Sequence, residues 1–418
     1  MKTRAVRLYG SNNIKMEEFE LPQMKEDEIL ARVVSDSVCM STYKAVIRGS
    51  GHKRVPEDID VNPIIIGHEF AGEIVEVGKK WRGLYKEGSK FSIQPNINHK
   101  GIGYAPGYSF PYFGGDATYI IIPGEVMEKH CLLDYSGDAY FKASLSEPMS
   151  CIVSAFHEFY HKDVFGHDHR MGIVEGGNMA ILAGAGPMGM GAIDYAIHNS
   201  RRPGLLAVTD IDENRLERAR AILNEAEAER YGVTLKYINT KEVGDASVYL
   251  MELSGGKGYD DVFVFAPVKQ VVEMGDGILG SDGCLNFFAG PTDSKFKAEV
   301  NFYNIHYSQT HIIGSSGGNT DDMAESLDLM GKGLINPAVM VTHVGGLDSA
   351  ADTTLNLPSI PGGKKLIYTN IEMELTAIED FEKKGSTDPL FAKLAEITKS
   401  NNGLWSEEAE KYLLINKK

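Results

Sequence analysis

The feature that most constrains this chain is the run Met179-Ala-Ile-Leu-Ala-Gly-Ala-Gly-Pro-Met-Gly189. An apolar, strand-like segment ends in Gly184, Gly186 and Gly189 at G-x-G-x-x-G spacing, and a helix-like segment, MGMGAIDYAIHNS, follows at once. A strand that turns so tightly into a helix opens a βαβ unit, which needs a parallel sheet with helices on its faces. The first glycine permits the turn, the second lets the backbone approach a pyrophosphate, and the third allows close helix–strand packing beneath an anion-binding helix N-terminus. Asp210 closes the next apolar run, LLAVTD, 21 residues beyond Gly189. A carboxylate there binds ribose hydroxyls and repels a 2′-phosphate. Gly184, Gly186, Pro187, Met188, Gly189 and Asp210 are therefore the expected cofactor-binding residues, with NAD(H) favoured over NADP(H). The plainer alternative is an ordinary strand-to-helix turn whose glycines only pack.

The pattern around this motif extends the argument. MAILAG, LLAVTD, TLKYIN, DVFVFAP, CLNFFAG and HIIGSS are spaced to allow crossover helices, which predicts a doubly wound parallel sheet over residues 155–318. Ahead of it, RAVRLYG, EILARVVSD, AGEIVEVG, KFSIQPN and ATYIIIP are separated by Gly, Pro and Asn turns, as in a mostly antiparallel β domain over 1–154. The expected class is α/β with a second, β-rich domain. A length of 418 residues, 43% hydrophobic and 24% charged, suits two globular domains. Lys and Arg total 42 against 58 Asp and Glu, a net charge of −16 without any basic block, which argues against a nucleic-acid partner. The first residues alternate apolar with polar and lack a signal-peptide core, and no run reaches membrane-span length, so a cytoplasmic location is expected. The four cysteines, Cys39, Cys131, Cys151 and Cys284, have no C-x-x-C spacing, which excludes a disulfide framework and a cysteine-rich zinc knuckle.

Three short segments carry candidate metal ligands. IIIGHEFAG places His68 beside Glu69, SDSVCMSTYK carries Cys39 after a strand-like run, and SLSEPMSC carries Glu147 before the parallel sheet begins. Thiolate, imidazole and carboxylate are all accepted zinc ligands, and a catalytic zinc needs three protein ligands and an open position. A lone histidine before a turn is more often a hydrogen-bonded structural residue, and spacing alone does not show that the three segments converge.

Taken together, Cys39 in V-C-x-S, Gly67-His68-Glu69 followed by AGEIVEVG, Glu147-Pro148 before the pattern changes, and GAGPMG resemble the zinc-dependent medium-chain dehydrogenase/reductase family over nearly the whole chain. SEPMS is similar to the E-P-L-S of its sorbitol, polyol and sugar dehydrogenases, and RAVRLYG with NPIIIGHEFAGEIVEVGKKW further resembles the L-sorbose 1-phosphate reductase branch. The resemblance implies a Rossmann domain plus a GroES-like catalytic domain, to which residues 319–418 return. It implies one catalytic zinc held by Cys39, His68 and Glu147, with Glu69 joining or exchanging with the open ligand, and Ser41 passing the alcohol proton outward. It also implies hydride transfer between NAD(H) and a sugar, polyol or sugar phosphate, in a homodimer or homotetramer paired through HIIGSS. An unphosphorylated polyol dehydrogenase and a catalytically silent nucleotide-binding regulator are the rival readings.

Departures from the family pattern are informative. The stretch QPNINHKGIGYAPGYSFPYFGGDATY lacks the four cysteines of a structural zinc lobe, so one zinc per chain is expected. Thr42 stands where an Asp often buttresses the ligand histidine, and Lys44 where some relatives carry a relay histidine. Lys44, Arg48, His52, Lys53 and Arg54 make a basic segment in an acidic protein. Lys44 and Arg48, four residues apart on one helix face, are the candidate ligands of a substrate phosphate, against the blander reading of a solvated loop. His157, His161, His167 and His169 are expected on the surface, Cys131, Cys151 and Cys284 in the core, and Tyr104, Tyr108, Tyr112 and Phe113 in packing or at the substrate cleft.

Overall fold

The computed structural model describes residues 1–97, 103–162 and 166–417. The chain divides into two units, one of Met1–Pro148, Asn319–Leu327 and Val341–Lys418, the other of Met149–Gly318 and Asp328–Met340. The second unit thus starts at Met149 rather than 155, and it retains 328–340 because that segment packs on it. Asn336 N–H donates to Asp194 Oδ2 at 2.7 Å, and the Met340 sulfur lies against Gly191 of the same helix. Among the described residues no helix is long and apolar enough to cross a membrane.

The first unit is built on the strand Ile29–Val38, whose β-branched residues suit a strand covered on both sides and are nearly all buried. It pairs antiparallel with Phe70–Val77, with Tyr119–Ile122 and with Lys364–Tyr368, inside an eight-stranded and mostly antiparallel sheet. Ile29, Ala31, Val33, Phe70, Ile74, Phe91 and Phe113 form its principal core. Register decides what this sheet displays. Asp36 is opposite Phe70 and Val38 is opposite Lys365, so the C-terminal end of the central strand is level with the first residues of both neighbours. Cys39, Glu69 and Lys364, each one step from a residue paired in these ladders, therefore lie at the same end of the sheet.

The second unit is a six-stranded parallel sheet in which Asn178–Leu182 is flanked by Leu205–Asp210 and Tyr259–Val264. Thr234–Asn239 lies outside the former, and Leu279–Phe287 and then His311–Gly314 outside the latter, giving the sequence order 3-2-1-4-5-6. This is the doubly wound arrangement, with its strand order reversing beside Asn178–Leu182, where such sheets bind ligands. Ala180, Leu182, Ala207, Val262 and Leu285 fill one side of it. The observed class is α/β, a Rossmann-type parallel sheet with an antiparallel β unit, as expected.

Candidate metal centre and nucleotide turn

The metal candidates all belong to the first unit. Cys39 precedes the helix Met40–Arg48, Glu69 precedes the strand Phe70–Val77, and Glu147 lies in the first turn of the helix Ser146–Glu158. His68 is aimed by Gly67, whose φ of +90 is a left-handed conformation. A Cβ there would stand 2.1 Å from Asp36 Oδ2 and 2.7 Å from the Asp116 backbone nitrogen, so only glycine fits. Cys39, His68 and Glu69 each place one ligand atom within 4.8 Å of the other two. Glu147 joins them electrostatically, since its charge bears on His68 and Lys364.

The charge balance of this cluster is one-sided. Burial, reinforced by Glu69, pushes the Cys39 thiol up, and burial likewise raises Glu147 to about 7. Burial holds His68 below its usual value, which leaves a neutral ring. Of the three acidic groups Glu69 alone is lowered: burial opposes its charge, but the Lys364 ammonium and the Ser37 hydroxyl outweigh that. Lys364 donates to both Glu69 oxygens, one at 2.6 Å, and Ser37 donates to Oε2 as well. One lysine thus faces two carboxyls and a thiol, and a divalent cation would supply the positive charge the donors lack. The donor set fits zinc.

Hydroxyls surround the ligand candidates. Ser41 Oγ lies 3.0 Å from Cys39 Sγ and 3.3 Å from His68 Nε2. On the other side of the ring, Thr42 Oγ1 and the Tyr108 hydroxyl lie 3.0 and 3.2 Å from His68 Nδ1. Thr42 therefore occupies the buttressing place as a neutral group rather than a carboxylate. Asp36, whose Oδ1 accepts the Glu69 N–H at 3.1 Å, and Asp116 are both raised by burial, Asp116 to about 7.

The nucleotide candidates occupy the second unit. Gly186 caps the helix Pro187–His198, with Pro187 as its first residue and Met188 half-buried next to it. Gly184 N–H donates to Thr209 O at 2.8 Å, and a Cβ on Gly189 would lie 2.0 Å from Gly184 O, the close approach expected there. At Gly186 a Cβ would meet nothing within 4 Å, so the backbone there is open to a ligand. Asp210 is already engaged. Its Oδ2 accepts Ala185 N–H at 3.1 Å, and its Oδ1 accepts the N–H groups of Ile211 and Asp212 at 2.8 and 3.1 Å. Beside it is a cavity of about 390 Å³ lined by Asp210, Ile211, Asp212, Glu213, Arg215 and Lys241. The turn and the ribose-binding candidate are thus tied together by one carboxylate, and they fit a dinucleotide.

Other expected residues are redistributed. Lys44 is half-buried and Arg48 exposed on the helix Met40–Arg48, and both interact with other groups. His157, His167 and His169 are exposed, but His161 is not on the surface: it is 2% exposed, 3.0 Å from Asp261 Oδ1 and from Asp282 O. The helix ends at Glu158, so His161 sits in the strand Tyr160–Lys162 and turns inward. Cys131 and Cys284 are buried and Cys151 is half-buried. Lys364 and Ser37 also belong to the cluster, without a sequence signal that marks them. Lys364 lies 295 residues from Glu69, and no local pattern links them.

Comparison with known proteins agrees with this geometry. The zinc-binding dehydrogenase family model matches residues 187–332, and the alcohol dehydrogenase GroES-like domain model matches 25–130. The chain belongs to the zinc-binding dehydrogenase family and is an oxidoreductase. It is 52% identical over 413 residues to mannitol-1-phosphate 5-dehydrogenase of Aliivibrio fischeri (strain ATCC 700601 / ES114), covering 99% of this chain and 97% of that one. It is 46% identical over 412 residues to L-sorbose 1-phosphate reductase of Klebsiella pneumoniae, with the same coverage. Among solved structures, 2R,3R-butanediol dehydrogenase from Bacillus subtilis shares the fold at a TM-score of 0.71 and 20% identity, over 88% of this chain and all of that one.

Proposed function

We propose that this chain is an NAD(H)-linked, zinc-dependent dehydrogenase that interconverts a phosphorylated ketose and its alditol. The observation that carries the reading is the convergence of Cys39, His68 and Glu69, with Glu147 bearing on the same cluster, in a chain whose near relatives are named for mannitol 1-phosphate and L-sorbose 1-phosphate. Cys39, His68 and Glu147 would hold the zinc, with Glu69 held off or admitted according to its pairing with Lys364. Zinc bound there supplies Lewis-acid polarisation of the substrate oxygen, and the nicotinamide supplies or accepts the hydride.

The protein groups divide the remaining work. His68 is neutral, and an Nδ1–H donated to Thr42 or Tyr108 leaves the Nε2 lone pair, which faces the Ser41 hydroxyl, as the ligating one. Ser41, between Cys39 and His68, is placed to take and pass the alcohol proton. Gly184, Gly186 and Gly189 open the backbone to the pyrophosphate, and Asp210 binds the ribose. The preference for NAD(H) rests on Asp210, Asp212 and Glu213 in one cavity with Arg215 and Lys241; Arg215 is 3.7 Å from Asp212 and already paired. Assembly as a homodimer or homotetramer is supported by the open edge His311–Gly314 of the parallel sheet and by the exposed Phe302, Tyr303 and Tyr307 on the helix before it.

The test is metal analysis combined with nicotinamide absorbance over a panel of phosphorylated and neutral ketoses and alditols. Turnover favouring the phosphorylated members supports the proposal. Turnover favouring neutral polyols transfers it to a general polyol dehydrogenase, and no turnover by zinc-loaded protein across the panel refutes both.

A further inference from the structure

The basic residues after Cys39 are not equivalent. Lys53 is exposed, and Lys44 and Arg48 are engaged with other groups. His52 stacks on the Tyr108 ring, with centroids 5.5 Å apart and planes at 19°. Burial, then Arg54, Arg48 and Lys53, lower its pKa to about 4, so it is neutral near pH 7. Arg54 differs from all of these. It is half-buried, its guanidinium carbon is 5.6 Å from the Tyr108 ring centroid, and no carboxylate among the described residues forms an ion pair with it.

Tyr108 carries that charge to the metal candidates. Its ring centroid is 5.0 Å from that of His68 and its hydroxyl 3.2 Å from His68 Nδ1. The charge of Arg54 is felt by both His68 and the Tyr108 hydroxyl. The backbone of Arg54 is anchored to the loop that carries Tyr108, because Ser109 Oγ donates to Arg54 O at 2.8 Å and accepts the Ala105 N–H at 3.2 Å. A guanidinium seated on an aromatic face, held at its backbone and lacking a carboxylate partner, is a pre-organised anion fork. Arg–phosphate contacts are frequently bidentate and directional, whereas a lysine ammonium is a point charge on a flexible stem.

We infer that Arg54, supported by Tyr108, binds the substrate phosphate and sets the preference for phosphorylated over neutral ketoses and alditols. This rests on the function proposed above and names the residue responsible, in place of the helix cations Lys44 and Arg48.

The test compares wild type, Arg54→Gln, Arg54→Lys, Lys44→Ala and Arg48→Ala. One readout is kcat/KM for L-sorbose 1-phosphate against L-sorbose and for mannitol 1-phosphate against mannitol. The other is calorimetric binding of inorganic phosphate to the metal-free protein. Arg54→Gln is expected to lower the phosphorylated-to-neutral ratio by more than about tenfold, chiefly through KM. It should also weaken phosphate binding, with Arg54→Lys recovering part of both. A wild type that prefers phosphorylated substrates, with the preference and phosphate affinity unchanged in Arg54→Gln or lost instead in Lys44→Ala or Arg48→Ala, overturns the inference but not the function. A wild type that prefers neutral polyols overturns the function, and the inference with it. If Arg54→Gln fails to fold by its melting curve, Arg54→Lys decides: an unchanged ratio and affinity count against a bidentate fork.

Discussion

The Lys364–Glu69 pair lies at the candidate metal-binding end of the sheet, and its removal has a calculable cost. The two side chains are 6% and 1% exposed, and the lysine contacts both carboxylate oxygens. Lys364→Met keeps an unbranched side chain of similar length while leaving Glu69 with the Ser37 hydroxyl as its remaining side-chain donor. Stranding one member of a buried pair costs about 3–5 kcal/mol, a large part of the roughly 5–15 kcal/mol that holds a domain together. The exposed Lys2–Glu18 pair, at 67% and 53%, provides the contrast, since solvent screens such a pair and its loss should barely move stability. Adding Glu69→Leu to Lys364→Met removes the stranded charge, so the double variant should regain most of the loss. Both tryptophans, Trp81 and Trp405, are buried in the first unit, so urea unfolding followed by tryptophan fluorescence reports on the unit that contains the pair. Zinc should return part of the stability of metal-free Lys364→Met, because the cation replaces the missing positive charge. A single variant costing less than about 1 kcal/mol, or a double variant no more stable than the single, would refute the argument that these charges are buried and interdependent.

Four other outcomes are expected. Elemental analysis should find one tightly bound zinc per chain, lost in Cys39→Ala and His68→Ala without loss of fold; two zincs would mean that the cysteine-free stretch before Tyr119 was misread. NADH should be used better than NADPH, and Asp210→Asn, which keeps an acceptor for part of the backbone network, should narrow the gap in initial rates; a wild-type preference for NADPH contradicts the assignment. Light scattering should show a dimer or a dimer of dimers, which Tyr303→Glu with Ile312→Lys at the exposed edge should dissociate; a monomeric wild type at micromolar concentration counts against it. Finally, burial raises Glu410 from 4.5 to about 7 despite its bonds from Tyr368, Phe141 and Tyr140. Between those values the folded chain keeps a proton the unfolded chain has released, so its contribution to stability falls as pH rises through the window and is level above it. Glu410→Gln should flatten that part of the stability–pH curve, and an unchanged slope would place the carboxylate in contact with water.

What the chain reveals about itself depends on how far apart the cooperating residues lie. The nucleotide turn is local: Asn178 to Asp210 spans one strand, one helix and the next strand, and each candidate residue's expected task follows from backbone geometry within that unit. The parallel sheet is legible for the same reason, because fully buried strands leave continuous apolar runs such as DVFVFAP. Candidate metal ligands are legible one by one as residue types, but their convergence depends on register. Ser37 N–H donates to Glu69 O and Val38 pairs with Lys365, and this alignment brings Cys39 level with Glu69 and Lys364. Nothing in SDSVCMSTYK or GHEFAG specifies a lysine 295 residues further on. The same limit explains His161: the sequence expects it on the surface with its neighbouring histidines, but the helix stops at Glu158 and strand pairing with His169–Met171 turns the ring inward to Asp261. It also explains the phosphate candidates. Helical spacing singled out Lys44 and Arg48, because periodicity is visible in sequence, whereas Arg54 gains its standing from a tyrosine more than fifty residues away that stacks beneath it and reaches His68. Local pattern thus marks the candidate ligands, and tertiary register and ring stacking bring Lys364, Tyr108 and Arg54 into their company.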